Sequence, residues 1–275
     1  MKEILKNIVL EKRKEGIPDF VIRNFLKEYL QYPVLEFIYA NKKYKQFVFI
    51  GGSCLRICFN APRLSEDLDF DLDKKTWERL NILEIAEEVE DYFKKEYLLE
   101  VNAKCQGKNR IYLKFPILRD LGLANNSESD WLYVKIEPSQ TYFKEPKIEL
   151  SPVSQYGFNF IVRNYSLEFL MTGKLCAIFT REWFKGNEQE INIKGRDFYD
   201  LFWYLQKGIN PDFSNLNKII GIGNLENLKK ELKNRIEKNV TSQKLSYDLK
   251  NFFPDQKFVS DFCKNYKKII FQYLE

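Results

Sequence analysis

Residues 51 to 73, GGSCLRICFNAPRLSEDLDFDLD, join a Gly-Gly-Ser turn to a segment with a carboxylate at every second position. Few folds accommodate that layout. Phe47, Val48, Phe49 and Ile50 ahead of the turn form an apolar run that reads as a buried strand, so the turn sits at that strand's end. Gly51 and Gly52 let the backbone approach an anionic ligand closely, and Ser53 offers a hydroxyl and an N–H at the start of a short helix to about Phe59, where anions are favoured. In an extended chain residues two apart share a face. Ser65, Asp67, Asp69, Asp71 and Asp73 therefore point one way, and Leu64, Leu68, Phe70 and Leu72 the other. One face packs, and the other is free to hold a metal ion.

Carboxylates converging from one strand face suit Mg²⁺, a hard cation that takes oxygen ligands and bridges to substrate phosphates. One or two such ions can activate an attacking oxygen and stabilise a leaving one in nucleotidyl transfer from an NTP. An edge strand protected by charge would show the same acids, but it has no need of the turn before them.

Gly51-Gly52-Ser53 with Leu55, then Arg63, Ser65, Asp67, Leu68, Asp69 and Phe70, resemble the AbiEii/AbiGii toxin family of nucleotidyltransferases, toxins of type IV toxin–antitoxin pairs that include the MenT-like toxins. The first motif alone is shared with the wider DNA-polymerase-β-like nucleotidyltransferase superfamily. The R-x-S-x-D-L-D-F form and a second segment, Lys174 to Asp200, narrow the resemblance, which runs from about residue 20 to about residue 205. The residues beyond 205 match nothing recognisable. The resemblance implies an α+β fold, with an N-terminal nucleotidyltransferase-type mixed sheet and flanking helices over residues 1–160 and a mainly helical half over 161–275 that completes the active-site cleft.

Five cysteines, at 54, 58, 105, 176 and 263, form no C-x-x-C pair, which argues against a disulfide framework and a zinc site. Histidine is absent altogether. That removes Ser-His-Asp and Cys-His catalysis and leaves carboxylates, lysines, hydroxyls and bound metal as the chemical inventory. The most apolar stretch, Leu167 to Thr180, is interrupted by Glu168 and Lys174, so no membrane span is expected. With no secretory signature in the first residues, the expected location is cytoplasmic. The net charge of +5 is uneven: residues 206–275 hold thirteen Lys or Arg against eight Asp or Glu. A basic end with interspersed aromatics could grip nucleic acid, although Phe258, Phe262, Tyr266 and Ile269 fall at the spacing of an ordinary helical core.

Along the chain, Pro18 to Asn41 reads as helical, broken in two by Pro33, and Thr76 to Leu98 as an amphipathic helix with Thr76 as N-cap. Leu98–Cys105, Asn109–Leu118 and Trp131–Glu137 alternate as strands. Polymerase-like nucleotidyltransferases place a third carboxylate on a neighbouring strand, so the resemblance offers Glu137, which shares a face with Tyr133 and Lys135, as the third metal ligand, with Glu149 as a competitor. It also implies that Lys174 reaches the nucleotide phosphates, with Arg181 two helical turns on, and that Asp197 is an essential carboxylate orienting Lys174 or the nucleophile. Asp200 is open between a functional role and a structural pairing with Arg196.

Assembled, these residues predict that Asp67 and Asp69, with Glu137, bind Mg²⁺, that Gly51, Gly52, Ser53 and Ser65 hold the triphosphate, and that Lys174, Arg181 and Asp197 complete the machinery. By resemblance the acceptor is tRNA, which stops translation, and the cognate partner is an antitoxin encoded alongside. A small-molecule nucleotidyltransferase of the antibiotic-resistance kind, and a nucleotide- or RNA-binding module without turnover, are the alternatives.

Overall fold

A computed structural model of the chain describes residues 1–182, 184 and 191–275. The expected second motif, Lys174 to Asp200, falls partly outside the described residues, at Trp183 and at 185–190. The chain divides into two compact units, one of Met1–Tyr142 with Ile148–Asn164 and one of Phe143–Lys147 with Tyr165–Glu275.

The first unit holds a seven-stranded mixed sheet in the order β3-β4-β5-β2-β1-β7-β6, with β1 Val48–Ile50, β2 Asp67–Leu72, β3 Asn102–Gln106, β4 Arg110–Pro116, β5 Trp131–Gln140, β6 Ile148–Gln155 and β7 Phe158–Tyr165. Strand β2 runs antiparallel to β1 and parallel to β5. Its apolar face packs as expected: Leu68 lies beside Ile136, which lies beside Ile111, and all three are fully buried. Phe70 pairs with Phe49 across β1, their rings 5.4 Å apart. Because the side-chain period is two, burying this row fixes which face Asp67 and Asp69 occupy. Strands β6 and β7 are joined by Tyr156 and Gly157, both at positive φ, the conformation of a type I′ hairpin turn.

Helix α1 spans Lys2–Lys14 and α2 Asp19–Ala40. Pro33 does not break α2. A mid-helix proline costs about 3 kcal/mol, and the burial of Leu30, Val34, Leu35 and Ile38 around it, each worth roughly 1.5–3 kcal/mol, outweighs that cost. Helix α3, Gly51–Phe59, begins at Gly51, two residues before the expected start at Ser53, so the Gly-Gly-Ser segment is its first turn. The single helix expected from Thr76 is instead two, α4 Lys74–Glu78 and α5 Ile82–Tyr97. Asp73 caps the first by accepting from the N–H of Thr76 at 2.9 Å, and Asn81 restarts the second by accepting from that of Glu84. Side chains better suited to capping than threonine set the boundaries.

The second unit is helical beyond Tyr165: α6 Leu167–Thr180, α7 Gly195–Gln206, α8 Phe213–Ile220, α9 Leu225–Asn239, α10 Ser242–Leu249 and α11 Gln256–Phe271. Phe262 and Tyr266 of α11 are buried in this unit, Phe262 against Tyr199 and Tyr266 donating its hydroxyl to the Phe198 carbonyl at 2.9 Å. Among the described residues no helix is long and apolar enough to cross a membrane.

Candidate active site

Two clusters hold the residues singled out from the sequence, one in each unit. In the first, Ile50 lies beside Asp69 in the antiparallel register, so Gly51, the next residue, meets the Asp69 side chain. Gly51 has φ +77°, and a Cβ there would collide with the Asp69 carboxylate. Gly52 is equally constrained: a Cβ would strike the Arg63 guanidinium and lie 2.9 Å from Ser65 Oγ. The glycines thus leave room for the groups that the acidic strand brings. Gly51→Ala is expected to shift the Asp69 carboxylate and to cost about 1–2 kcal/mol in backbone strain. Thermal melting should read that loss as a lower midpoint, with the fold retained by circular dichroism.

Ser53 is fully buried, and its hydroxyl donates to the Asp67 carbonyl, which ties the turn to β2. Ser65 is buried, its carbonyl accepting from Gln31 Nε2 at 3.1 Å. Helix α2 makes two further contacts, one to α3 and one to the segment between α3 and β2. Glu28 holds Arg56 through two bonds of 2.8 and 3.2 Å, and Lys27 pairs with Glu66 at 2.9 Å. These supports had a signal in the sequence: Asn24, Glu28 and Gln31 recur at helical spacing among apolar neighbours, and all three are buried.

The other carboxylates of the alternating row diverge in role. Asp71 is buried and accepts from Ser139 Oγ at 2.7 Å, and Asp73 is the cap of α4. Glu137 lies directly beside Asp69 in the parallel β2/β5 register. Its carboxylate, however, is held by Arg110 Nε at 2.7 Å and by Lys135 Nζ at 2.6 Å. Burial acts to raise the Glu137 pKa, but these two cations hold it below the usual carboxylate value. Lys135 also reaches Asp67, at 3.0 Å. Glu149 is on β6, three strands from β2, roughly 14 Å away at ordinary strand spacing. Among the described residues no three Cys, Asp or Glu side chains converge to hold a metal ion. Asp67 and Asp69, oxygen donors on one strand face with the Asp69 carboxylate packed against Gly51, are the donor type that a hard divalent cation takes.

In the helical unit, Lys174 of α6 pairs with Asp197 at 2.7 Å and with Asp200 at 2.8 Å, both on α7. Arg181, the residue capping α6, pairs with the other oxygen of Asp197. Burial works to raise the pKa of Asp197, and the charges of Lys174 and Arg181 overcome it, holding the carboxyl well below its usual range. Lys194, just ahead of α7, is shifted down by burial and by the nearby charges of Arg196 and Arg181. Helix α10 fixes the start of α7. A Cβ on Gly195 would come within 2.6 Å of the Leu245 carbonyl, the Arg196 N–H donates to Asp248 at 3.0 Å, and the Arg196 guanidinium lies 4.9 Å from the Phe252 ring centre. Asp248 and Phe252 lie beyond residue 205, where the sequence gave no family resemblance.

A glycine turn at a strand end, facing two alternating carboxylates within a mixed sheet, defines a nucleotidyltransferase-type fold. The chain resembles, with a TM-score of 0.50 and 20% identity over 91% of its length and 95% of the other, a crystal structure from H. pylori provisionally described as a nucleotidyltransferase. JHP933 from Helicobacter pylori aligns with a TM-score of 0.48 and 19% identity, covering 91% and 93% of the two chains. No curated protein matches the chain. The chain belongs to the family of the nucleotidyl transferase AbiEii toxin of type IV toxin–antitoxin systems, whose model matches residues 34–269. The match extends well past residue 205, so most of the helical unit is part of the family pattern.

Proposed function

We propose that this chain is a Mg²⁺-dependent nucleotidyltransferase that moves a nucleoside monophosphate from an NTP to an acceptor hydroxyl, with the tRNA 3′ end as the acceptor. The observation that carries the proposal is the placement of Asp69 against Gly51 with Asp67 on the same strand face. Asp67 and Asp69 would hold the cation, which when bound supplies electrostatic stabilisation of the phosphates. The backbone of Gly51 and Gly52, with Ser53 and Ser65 supporting it, receives the triphosphate. In the helical unit, Lys174 and Arg181, held by Asp197, offer positive charge to an anion. The acceptor oxygen forms a bond to the α-phosphorus as the bond to the β-phosphate oxygen breaks. Pyrophosphate leaves, and the hydroxyl proton passes to solvent or a carboxylate.

Two features support an RNA acceptor. The cationic surplus of the chain lies in residues 206–275, and Lys257, Lys264 and Lys268 sit exposed along one face of α11. As in other type IV pairs, an antitoxin encoded alongside would be the cognate partner. The test is to incubate wild type and Asp67→Asn with Mg²⁺, total tRNA and each α-labelled NTP in turn, then to resolve the products on a gel. Label on tRNA from one nucleotide, with wild type alone, is expected. Pyrophosphate release only with small acceptors would redirect the proposal to a small-molecule transferase, and no turnover would leave a binding module.

A further inference from the structure

The acidic face of the sheet carries its own cations. Asp67 has Lys135 beside it in the register of β2 and β5, and Asp69 has Glu137. Lys135 Nζ bridges the two pairs, 3.0 Å from Asp67 and 2.6 Å from Glu137, and Arg110 takes the remaining oxygen of Glu137. The side chains of Lys135, Glu137 and Asp67 are only 19%, 21% and 29% exposed, so this is a packed arrangement with little freedom to splay into solvent.

The charge balance has a consequence for metal binding. Asp67, Asp69 and Glu137 supply three negative charges, and Lys135 and Arg110 return two positive ones. A carboxylate whose two oxygens both accept charge-assisted bonds has little left to offer a metal. Two divalent ions about 3.5–4 Å apart require carboxylates that bridge or flank both. Here the flanking position on β5 is filled by an ammonium. That group has three donors. Asp67 and Glu137 take two, and the third is available to a phosphate oxygen.

We propose that Lys135 is a resident cation standing where a second divalent ion would bind, so that the chain takes one divalent ion, on Asp67 and Asp69, while Glu137 positions Lys135 and is not a ligand. The inference rests on the metal-dependent transfer proposed above and specifies its ion count.

Mn²⁺ alone, and Mn²⁺ with each α,β-methylene nucleoside triphosphate, titrated into the full chain and followed by electron paramagnetic resonance, tests it. Wild type is expected to bind one Mn²⁺ from the metal alone and to show no spin-coupled pair with any nucleotide. Lys135→Met should gain a second ion and a coupled-pair signal, Lys135→Arg should keep one, and Glu137→Gln should still bind one, whereas Asp69→Asn should lose it. A coupled pair in wild type, loss of the ion in Glu137→Gln, or an unchanged count in a folded Lys135→Met would each overturn the inference. Wild-type turnover with a coupled pair would sink this inference alone. Absence of both Mn²⁺ binding and pyrophosphate release would sink it together with the transferase proposal.

Discussion

Asp67→Asn is expected to lower nucleotide transfer by at least about 10³-fold while leaving the thermal midpoint nearly unchanged. Asn keeps the volume of Asp and removes only the charge. Asp67 is part-exposed, and its partner Lys135 retains Glu137 at 2.6 Å, so no buried charge is stranded. The same substitution along the strand should separate the five-residue row by role. Asp69→Asn should behave like Asp67→Asn. Asp73→Asn should leave transfer unaffected, because Asp73 caps α4 through Thr76, at 2.9 Å to its N–H and 3.0 Å to its hydroxyl, and Asn caps as well as Asp. Measuring product formed per unit time and melting temperature for all three variants checks it. Equal losses at Asp67 and Asp73 would show that the row acts through general charge and not through a defined site.

What the sequence made legible was what local chemistry decides. The Gly-Gly-Ser turn, the short helix that holds it and the period-two row of acids are each specified within about ten residues, and the mixed sheet with a helical second half was what the family resemblance implied. Long-range register was not legible. Tyr133, Lys135 and Glu137 could be assigned to one face, but placing Lys135 against Asp67 needs the parallel pairing of β2 with β5, which depends on everything folded between them. Glu149 could not be separated from Glu137 for the same reason, since strand order rather than alternation removes it from the neighbourhood of β2. Pro33 misled because propensity is a weak prior when both flanks of a helix are buried. Asp248 carried no signal because its approach to the α7 backbone is a tertiary contact across fifty-two positions of sequence.

Lys174→Met is expected to remove transfer and also to destabilise the helical unit by about 3–5 kcal/mol. Lys174 is the shared partner of two buried carboxylates, Asp197 and Asp200. Deleting it leaves Asp197 with Arg181 and strips Asp200 of that pairing, and a buried carboxylate that loses a cation costs more than the ion pair contributed. Loss of activity in this variant alone would therefore say nothing about phosphate binding. The double variant Lys174→Met with Asp200→Asn separates the two roles. It removes the Asp200 charge as well, so the melting temperature should recover most of the loss, while transfer should stay lowered because the Lys174 ammonium is gone. The pH dependence supplies an independent check with a definite sign. In wild type the Asp197 pKa is depressed, so its contribution to stability is present above the ordinary carboxylate value and is lost only as pH falls through its own lower value. In Lys174→Met, burial, the largest influence on that carboxyl, is opposed by fewer charges and its pKa rises, so protonation relieves the penalty. The deficit of the variant relative to wild type should be greatest near neutrality and shrink on acidification towards pH ~5. Melting curves at several pH values read it directly. Should transfer return in the double variant along with stability, Lys174 would be a structural counter-ion, and phosphate binding in this unit would pass to Arg181 and Lys194.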